Sequence, residues 1–428
     1  MRNLKDTQSA QAEIEKNARH NIFFNFMDGT SFWFGYSFMA PAVILPLFVS
    51  HYTHSKIIIG LVALISSVGY FMPQLFTANW VEHIPIKRDI PVKVGFFVER
   101  IPLLLMPLLA WLCRDTPALT LVAFFTMFAW HTFGAGVIAV GWNDMIAKII
   151  PLRYRGRFMG VTNFSGTATG ILGAMGAAWL LTRFTFPYGF IYAFAIAGLF
   201  VLISWGFLSQ TREPPVANHE HTVSTVEYWS RLPGIWRGDA NFRRYIISQA
   251  MLNLSGLAWG FIAVYAAQRW NLSDGKVGEY TIAMLVGQAL ANLVLGPLGD
   301  RHGYKLVIEL SNIAAIITAV LCLVARQPIW FFAVFALRGV TNAGFMLSMM
   351  ITYEFSSPEV RPTYIGMTNT ITGIASGISP ILGGLVAQRL GYPALFQATL
   401  GLIIIGVVMM HFWVREPRKH AKVAATQD

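Results

Sequence analysis

Residues 188–209 run Tyr188-Gly-Phe-Ile-Tyr-Ala-Phe-Ala-Ile-Ala-Gly-Leu-Phe-Val-Leu-Ile-Ser-Trp-Gly-Phe-Leu-Ser209, apolar throughout rather than alternating. The hydrocarbon core of a bilayer is about 30 Å thick, so a helix needs about 20 apolar residues to cross it. In that layer only helices and closed barrels satisfy their backbone polar groups. A continuous run of this length is therefore a membrane-spanning helix. Working outward, comparable stretches lie at 22–50, 57–80, 93–112, 118–146 and 157–182, and then at 245–268, 277–298, 305–325, 329–352, 363–388 and 394–414. The spacing predicts twelve spans, six on each side of a polar stretch. The expected organisation is a 1–21 N-terminal tail, a 22–209 six-helix bundle, a 210–244 central loop, a 245–414 six-helix bundle and a 415–428 C-terminal tail.

Composition agrees. Hydrophobic residues make up 55% of the 428 and charged residues 12%, against roughly 25% charged in soluble domains. Mean hydropathy is +0.53. The net charge of +11 would suit nucleic acid, but its placement argues against that partner, because most of the lysines and arginines sit in alternate loops. The rich side holds Arg2, Lys5, Lys16 and Arg19, the loop with Lys87 and Arg88, the stretch Lys148 to Arg157, and the 210–244 segment. It continues through Arg301, Lys305, Arg361, Arg415, Arg418 and Lys419. The positive-inside rule then puts both termini and the central loop in the cytoplasm, as expected for a multi-pass protein of the cytoplasmic (inner) membrane. The first 21 residues are polar, so the first span is expected to be its own insertion signal rather than a cleaved leader. Cys113 and Cys322 lack metal-ligand spacing and fit no disulfide framework; they are expected to be inert thiols.

The outer loops are short, as in Arg114-Asp-Thr-Pro117 and Arg389-Leu-Gly-Tyr392, which makes consecutive helices antiparallel neighbours. The two halves repeat. Arg155, Gly160 and Asn163, between the fourth and fifth spans, recur as Arg361, Gly366 and Asn369 between the tenth and eleventh. A parallel six-plus-six repeat is a secondary-transporter architecture with its site at the repeat interface. In the central loop Tyr228, Trp229, Leu232, Ile235 and Trp236 share a face beside Arg231 and Arg237. Either an amphipathic surface helix or a simple connector would account for them.

Gly296-Pro-Leu-Gly299-Asp300-Arg301-His-Gly303-Tyr-Lys305 closes the eighth expected span and opens the ninth. It resembles the loop motif of the major facilitator superfamily, in both letters and position. Glycines permit the tight turn, Asp300 can bond backbone N–H groups at a helix N-terminus, and Arg301 and Lys305 suit the inner face. The first half carries a degraded copy around Glu82, Lys87 and Arg88, with Pro85 in place of a glycine. The resemblance extends over roughly residues 20–415 and implies two helical bundles flanking a central cavity. It also implies a cytoplasmic gate latched by Gly296, Gly299, Asp300, Arg301, Gly303 and Lys305, with Glu82, Arg155 and Arg361 as associated charges. His131-Thr-Phe-Gly134 lies where many members carry an arginine followed by glycines, and Arg338-Gly339-Val-Thr-Asn342-Ala-Gly344 is its counterpart. The run Gly373 to Gly384 resembles the family's glycine-proline antiporter motif but occupies the eleventh span instead of the fifth. Its small residues let helices approach closely.

Charges within spans cost about 2.5–3.5 kcal/mol each on insertion scales, so each needs a cavity or a partner. Asp28 lies on a polar stripe with Asn21 and Asn25, and Gln249, Asn253 and Gly256 repeat that spacing in the seventh span. The family resemblance makes these stripes cavity-lining. Asp28 is thus the candidate proton-coupling carboxylate, and Asn25, His131, Arg338, Gln249 and Asn253 are the substrate-cavity candidates. Glu99 and Arg100 are adjacent, and adjacent helical residues do not face each other, so each is expected to meet a different neighbour. There is no Walker loop, nucleophile elbow or metal-ligand pattern; no enzyme, cofactor or metal site is expected. The expected function is proton-coupled secondary transport of a small organic solute by a monomer in the lipid bilayer. A proton-independent uniporter or exchanger, and a non-transporting receptor or assembly factor on the same fold, are the alternatives.

Overall fold

In a computed structural model, residues 2–82, 84–214, 233–355 and 361–417 are described, and among them helices alternate with short turns and no strand occurs. The helices are α1 (Arg2–Ser37), α2 (Ile44–Tyr52), α3 (Lys56–Glu82), α4 (Ile101–Leu112), α5 (Pro117–Ile149), α6 (Leu152–Arg183) and α7 (Tyr188–Leu208). There follow α8 (Ala240–Leu254), α9 (Ile262–Trp270), α10 (Asp274–His302), α11 (Tyr304–Val324), α12 (Trp330–Phe355) and α13 (Arg361–Trp413). Among the described residues ten helical segments are long and apolar enough to cross a bilayer. The last, Met367–Trp413, is 47 residues long and turns at Gly391, where φ is +85°. It is two helices joined at the expected Arg389–Tyr392 loop. Only glycine adopts that backbone conformation at no steric cost.

The first expected span, 22–50, is not one straight helix. α1 stops at Ser37 and α2 starts at Ile44, because Pro41 has no N–H to donate and its ring disfavours helix just before it. The seventh span is broken too: α8 ends at Leu254, a tight turn covers Ser255–Ala258, and α9 resumes at Ile262. Gly256 and Gly260 lie in this break. Between α3 and α4 the chain makes two π turns, Ile90–Val94 and Phe96–Arg100.

Two compact units result. The first comprises Met1–Ala40 and Gly69–Thr222, and the second Pro41–Val68 and Val223–Asp428. In the first, α1 packs on α6 and α7, and Phe124, Phe128 and Phe194 stack in the interior. Gly134 of α5 lies against the second π turn so closely that a Cβ would overlap the Val98 carbonyl. In the second unit α10 packs on α12 and α8 on α13. Gly287 and Gly339 face backbone reciprocally across α10 and α12, against Ala336 and Met284 respectively. A core of Phe242, Tyr245, Val307, Ile351 and Met410 fills one end of this unit.

Candidate functional site

The second unit contains a cavity of about 330 Å³. The broken seventh span contributes Gln249, Asn253 and Trp259; α11 contributes Ser311 and Asn312; α12 contributes Arg338, Thr341 and Asn342; Ser66 and Ser376 close it from α3 and α13. Asn253 donates to the Gln249 carbonyl at 2.8 Å and accepts from Ser376 at 2.8 Å. Gln249 is 5% exposed, and its Oε1 has no donor. The Ser66 hydroxyl is likewise buried without a partner. Arg338 lies with its Cζ 4.5 Å from the Trp259 ring centroid. Among the described residues the guanidinium makes no ion pair or hydrogen bond. Three of the five residues expected at a cavity, Gln249, Asn253 and Arg338, are thus brought together here.

Asn25 and His131 belong to the first unit and are packed away. Asn25 is 1% exposed and donates to Thr211 Oγ1 at 3.0 Å and to the Asn21 carbonyl at 2.9 Å. It joins α1 to the end of α7. His131 is 2% exposed, with Nδ1 3.1 Å from the Glu99 backbone oxygen. Asp28, at 5% exposure, accepts from Ser204 Oγ at 2.5 Å. Arg100 is near enough to act electrostatically on both Asp28 and His131, and its guanidinium also contacts the Glu99 carboxylate. The expectation that Glu99 and Arg100 would not meet is therefore corrected. Helical spacing sets where the two Cβ atoms point, but long side chains buried together can still bring their charged ends into contact. Of the two buried carboxyls, Glu99 touches the Arg100 guanidinium and Asp28 lies within its electrostatic reach.

At the motif-bearing end, Gly303 takes φ +95° and Asp300 accepts from the Tyr304 hydroxyl at 2.6 Å. Lys305 donates to the His411 carbonyl at 2.8 Å and lies 3.5 Å from Glu309. A Cβ on Gly303 would overlap the Glu416 carboxylate. The first-half copy is held by Glu213, whose side chain is 0% exposed. It accepts from the backbone N–H of Lys87 at 3.0 Å and of Arg88 at 2.6 Å, and pairs with Lys148 at 2.7 Å. Asn21 clasps Arg212 reciprocally through both backbone groups, at 2.8 and 2.9 Å. Asn241 does the same to Arg415, at 2.9 and 2.8 Å. The side chains of Glu82, Arg155 and Arg361 lie outside the described residues, as do Tyr228, Trp229 and Arg231 of the central loop.

The model of the Major Facilitator Superfamily matches residues 27–261 and 245–427. The chain belongs to this superfamily. Among known relatives it is 25% identical over 205 residues to the multidrug resistance protein fnx1 of Schizosaccharomyces pombe, covering 47% of this chain and 36% of that one. It is 28% identical over 158 residues to the multidrug resistance protein MdtL of Escherichia coli O157:H7, covering 36% and 40%. The matches thus span well under half the length of these relatives. In fold it is similar to the D-xylose–proton symporter, with a TM-score of 0.71 at 13% identity over 92% of this chain and 98% of that one. The nucleoside transporter NupG gives 0.66 at 15% identity over 92% and 98%.

For a member of the superfamily, the clasp around Glu213 is what reading the sequence missed. A signal existed. Arg212-Glu213-Pro214 recurs as Arg415-Glu416-Pro417, directly after the last helix of each half.

Proposed function

We propose that this protein is a secondary active transporter that moves a small organic solute through the membrane by alternating access, driven by protons. The observation that carries the reading is the polar cavity in the second unit. An amide-, hydroxyl- and guanidinium-lined space among helices of apolar exterior is costly unless something polar enters it. The breaks in the first and seventh spans support the same reading, since discontinuous helices are how transporters of this kind form midplane sites.

Coupling is supported by the charge count in the first unit. Asp28 and Glu99 are both buried and share Arg100. An unpaired buried charge is strongly disfavoured, so this site balances only when one carboxyl holds a proton. Asp28 is the coupling residue in this reading and Glu99 its competitor for the guanidinium. In this reading both termini lie in the cytoplasm, supported by the loop charges, and the chain acts as a monomer in the cytoplasmic membrane. Gly296 to Lys305 form the gate turn, with Glu82, Arg155 and Arg361 as its partners in charge.

The test is a ligand-stabilisation screen on detergent-purified protein, followed by counterflow in liposomes with each hit and accumulation under an imposed pH gradient. Counterflow of a stabilising solute, with accumulation under the pH gradient on the alkaline side for symport with protons or on the acidic side for exchange against them, supports the reading. A protein that binds solutes but catalyses no counterflow is not a transporter.

A further inference from the structure

We infer that the cavity of the second unit takes a small hydrophilic monocarboxylate, and that Arg338 on its Trp259 platform reads the carboxylate. This rests on the transporter reading and specifies the solute. The first argument is charge. Arg338 is the one ionisable side chain in the cavity lining; the remainder are amides, hydroxyls, glycines and apolar groups. The guanidinium has no carboxylate within reach among the described residues and stacks on Trp259. A partly buried cation without a counter-ion favours an anionic occupant and disfavours a cationic one. A cavity for organic cations would need an acidic group in its lining, and among the described residues that line it there is none.

The second argument is the number and shape of the charge. One guanidinium balances one negative charge. A phosphate monoester, at about −1.5 to −2 near neutral pH, would leave excess charge in a low-dielectric site. A carboxylate matches the guanidinium's planar fork. Stacking on Trp259 covers one face of the guanidinium and leaves its N–H edge available for such a bidentate contact.

The third argument is the rest of the lining. The lining also carries the Gln249 amide and the hydroxyl residues Ser66 and Thr341, and polar groups left without partners are costly. Asn312, Asn342 and Ser311 add further polar edges. Hydroxyl groups on a ligand would satisfy them, whereas a greasy acid would not. At about 30 Å³ per water, a cavity of about 330 Å³ has the volume of about ten waters, which is room for a hexose-sized solute.

Three hexose-sized probes differing in one substituent test this: D-glucuronate, D-glucose, and D-glucosamine at mildly acidic pH. D-gluconate and L-lactate extend the acid series. With purified full-length protein, thermal stabilisation and equilibrium binding should favour the carboxylates, with glucosamine weakest. Arg338→Gln should weaken carboxylate binding by about ten- to a hundredfold, the loss of a charge-assisted pair. Arg338→Lys should lose most of it, since lysine keeps the charge but not the fork. If Arg338→Gln does not fold, Asn342→Asp provides the same test. It sits one helical turn from Arg338 and supplies an internal carboxylate that should abolish the anion preference with the arginine in place. Equal or tighter binding of glucosamine or glucose overturns the inference, as does undiminished binding in Arg338→Gln. Equal stabilisation by chloride or inorganic phosphate, or no response to any of the carboxylates, also overturns it. Flux separates the two readings. Counterflow of glucosamine would retain the transporter and discard the acid, whereas tight glucuronate binding without glucuronate counterflow would do the reverse.

Discussion

Asp28 and Arg338 were legible because a charged residue in an apolar run is conspicuous wherever the chain goes. Their surroundings were not. Asp28 is held by Ser204 from a helix far along the chain and shares Arg100 with Glu99. Asp28→Asn keeps the size and a hydrogen-bond acceptor for Ser204 but cannot exchange a proton. It should abolish accumulation driven by a pH gradient while sparing counterflow; a mutant that still concentrates solute would show that coupling lies elsewhere. Glu213 was invisible for the opposite reason, being an ordinary acid in a charged segment. In the fold it is fully buried and accepts from two backbone N–H groups and Lys148. Glu213→Gln would turn an amide donor toward one of those donors. The expected cost is about 2–3 kcal/mol, seen as a lower melting temperature of the purified protein. An unchanged melting temperature would mean that the clasp is dispensable.

At the scale of elements, apolar length announced the helices but not their breaks. Pro41 and Gly256 are visible letters, yet a proline or glycine in a span can be accommodated by a kink or by a full break. Neighbouring packing decides between them. The π turns before α4 carried no signal in the composition. The glycine pattern was more informative. Gly339 faces the Met284 carbonyl, so Gly339→Ala must push α10 and α12 apart. Overpacking of this kind costs about 1–3 kcal/mol, and a thermal melt should show it. Asp300, bonded to Tyr304, belongs to the turn proposed as the gate. Asp300→Asn should raise the cytoplasmic accessibility of an introduced probe cysteine and slow transport with little loss of folding. Unchanged accessibility would remove the latch role.

For the whole molecule, the repeat extends further than the shared Arg, Gly and Asn positions indicate. Each half ends in Arg-Glu-Pro. In each, an asparagine on the half's first long helix clasps the backbone of that arginine. The loop charge asymmetry yields a topology test. Reporter fusions after residue 220 and at the C-terminus should both read as cytoplasmic, and one after Asp115 as external. An external C-terminus would overturn the orientation.

The sequence by itself determined the helical class, the long apolar helices, the superfamily resemblance and which charges lie within apolar runs. Those properties are local: twenty apolar residues, a loop motif or a buried charge each declare themselves within a short window. Tertiary structure alone decided that Asn25 and His131 pack inside the first unit while Gln249, Asn253 and Arg338 line a cavity. It also decided that Glu213 reaches a loop 126 residues away. Such contacts depend on which helix faces meet, and sequence spacing along one helix says which residues share a face but not what that face will touch.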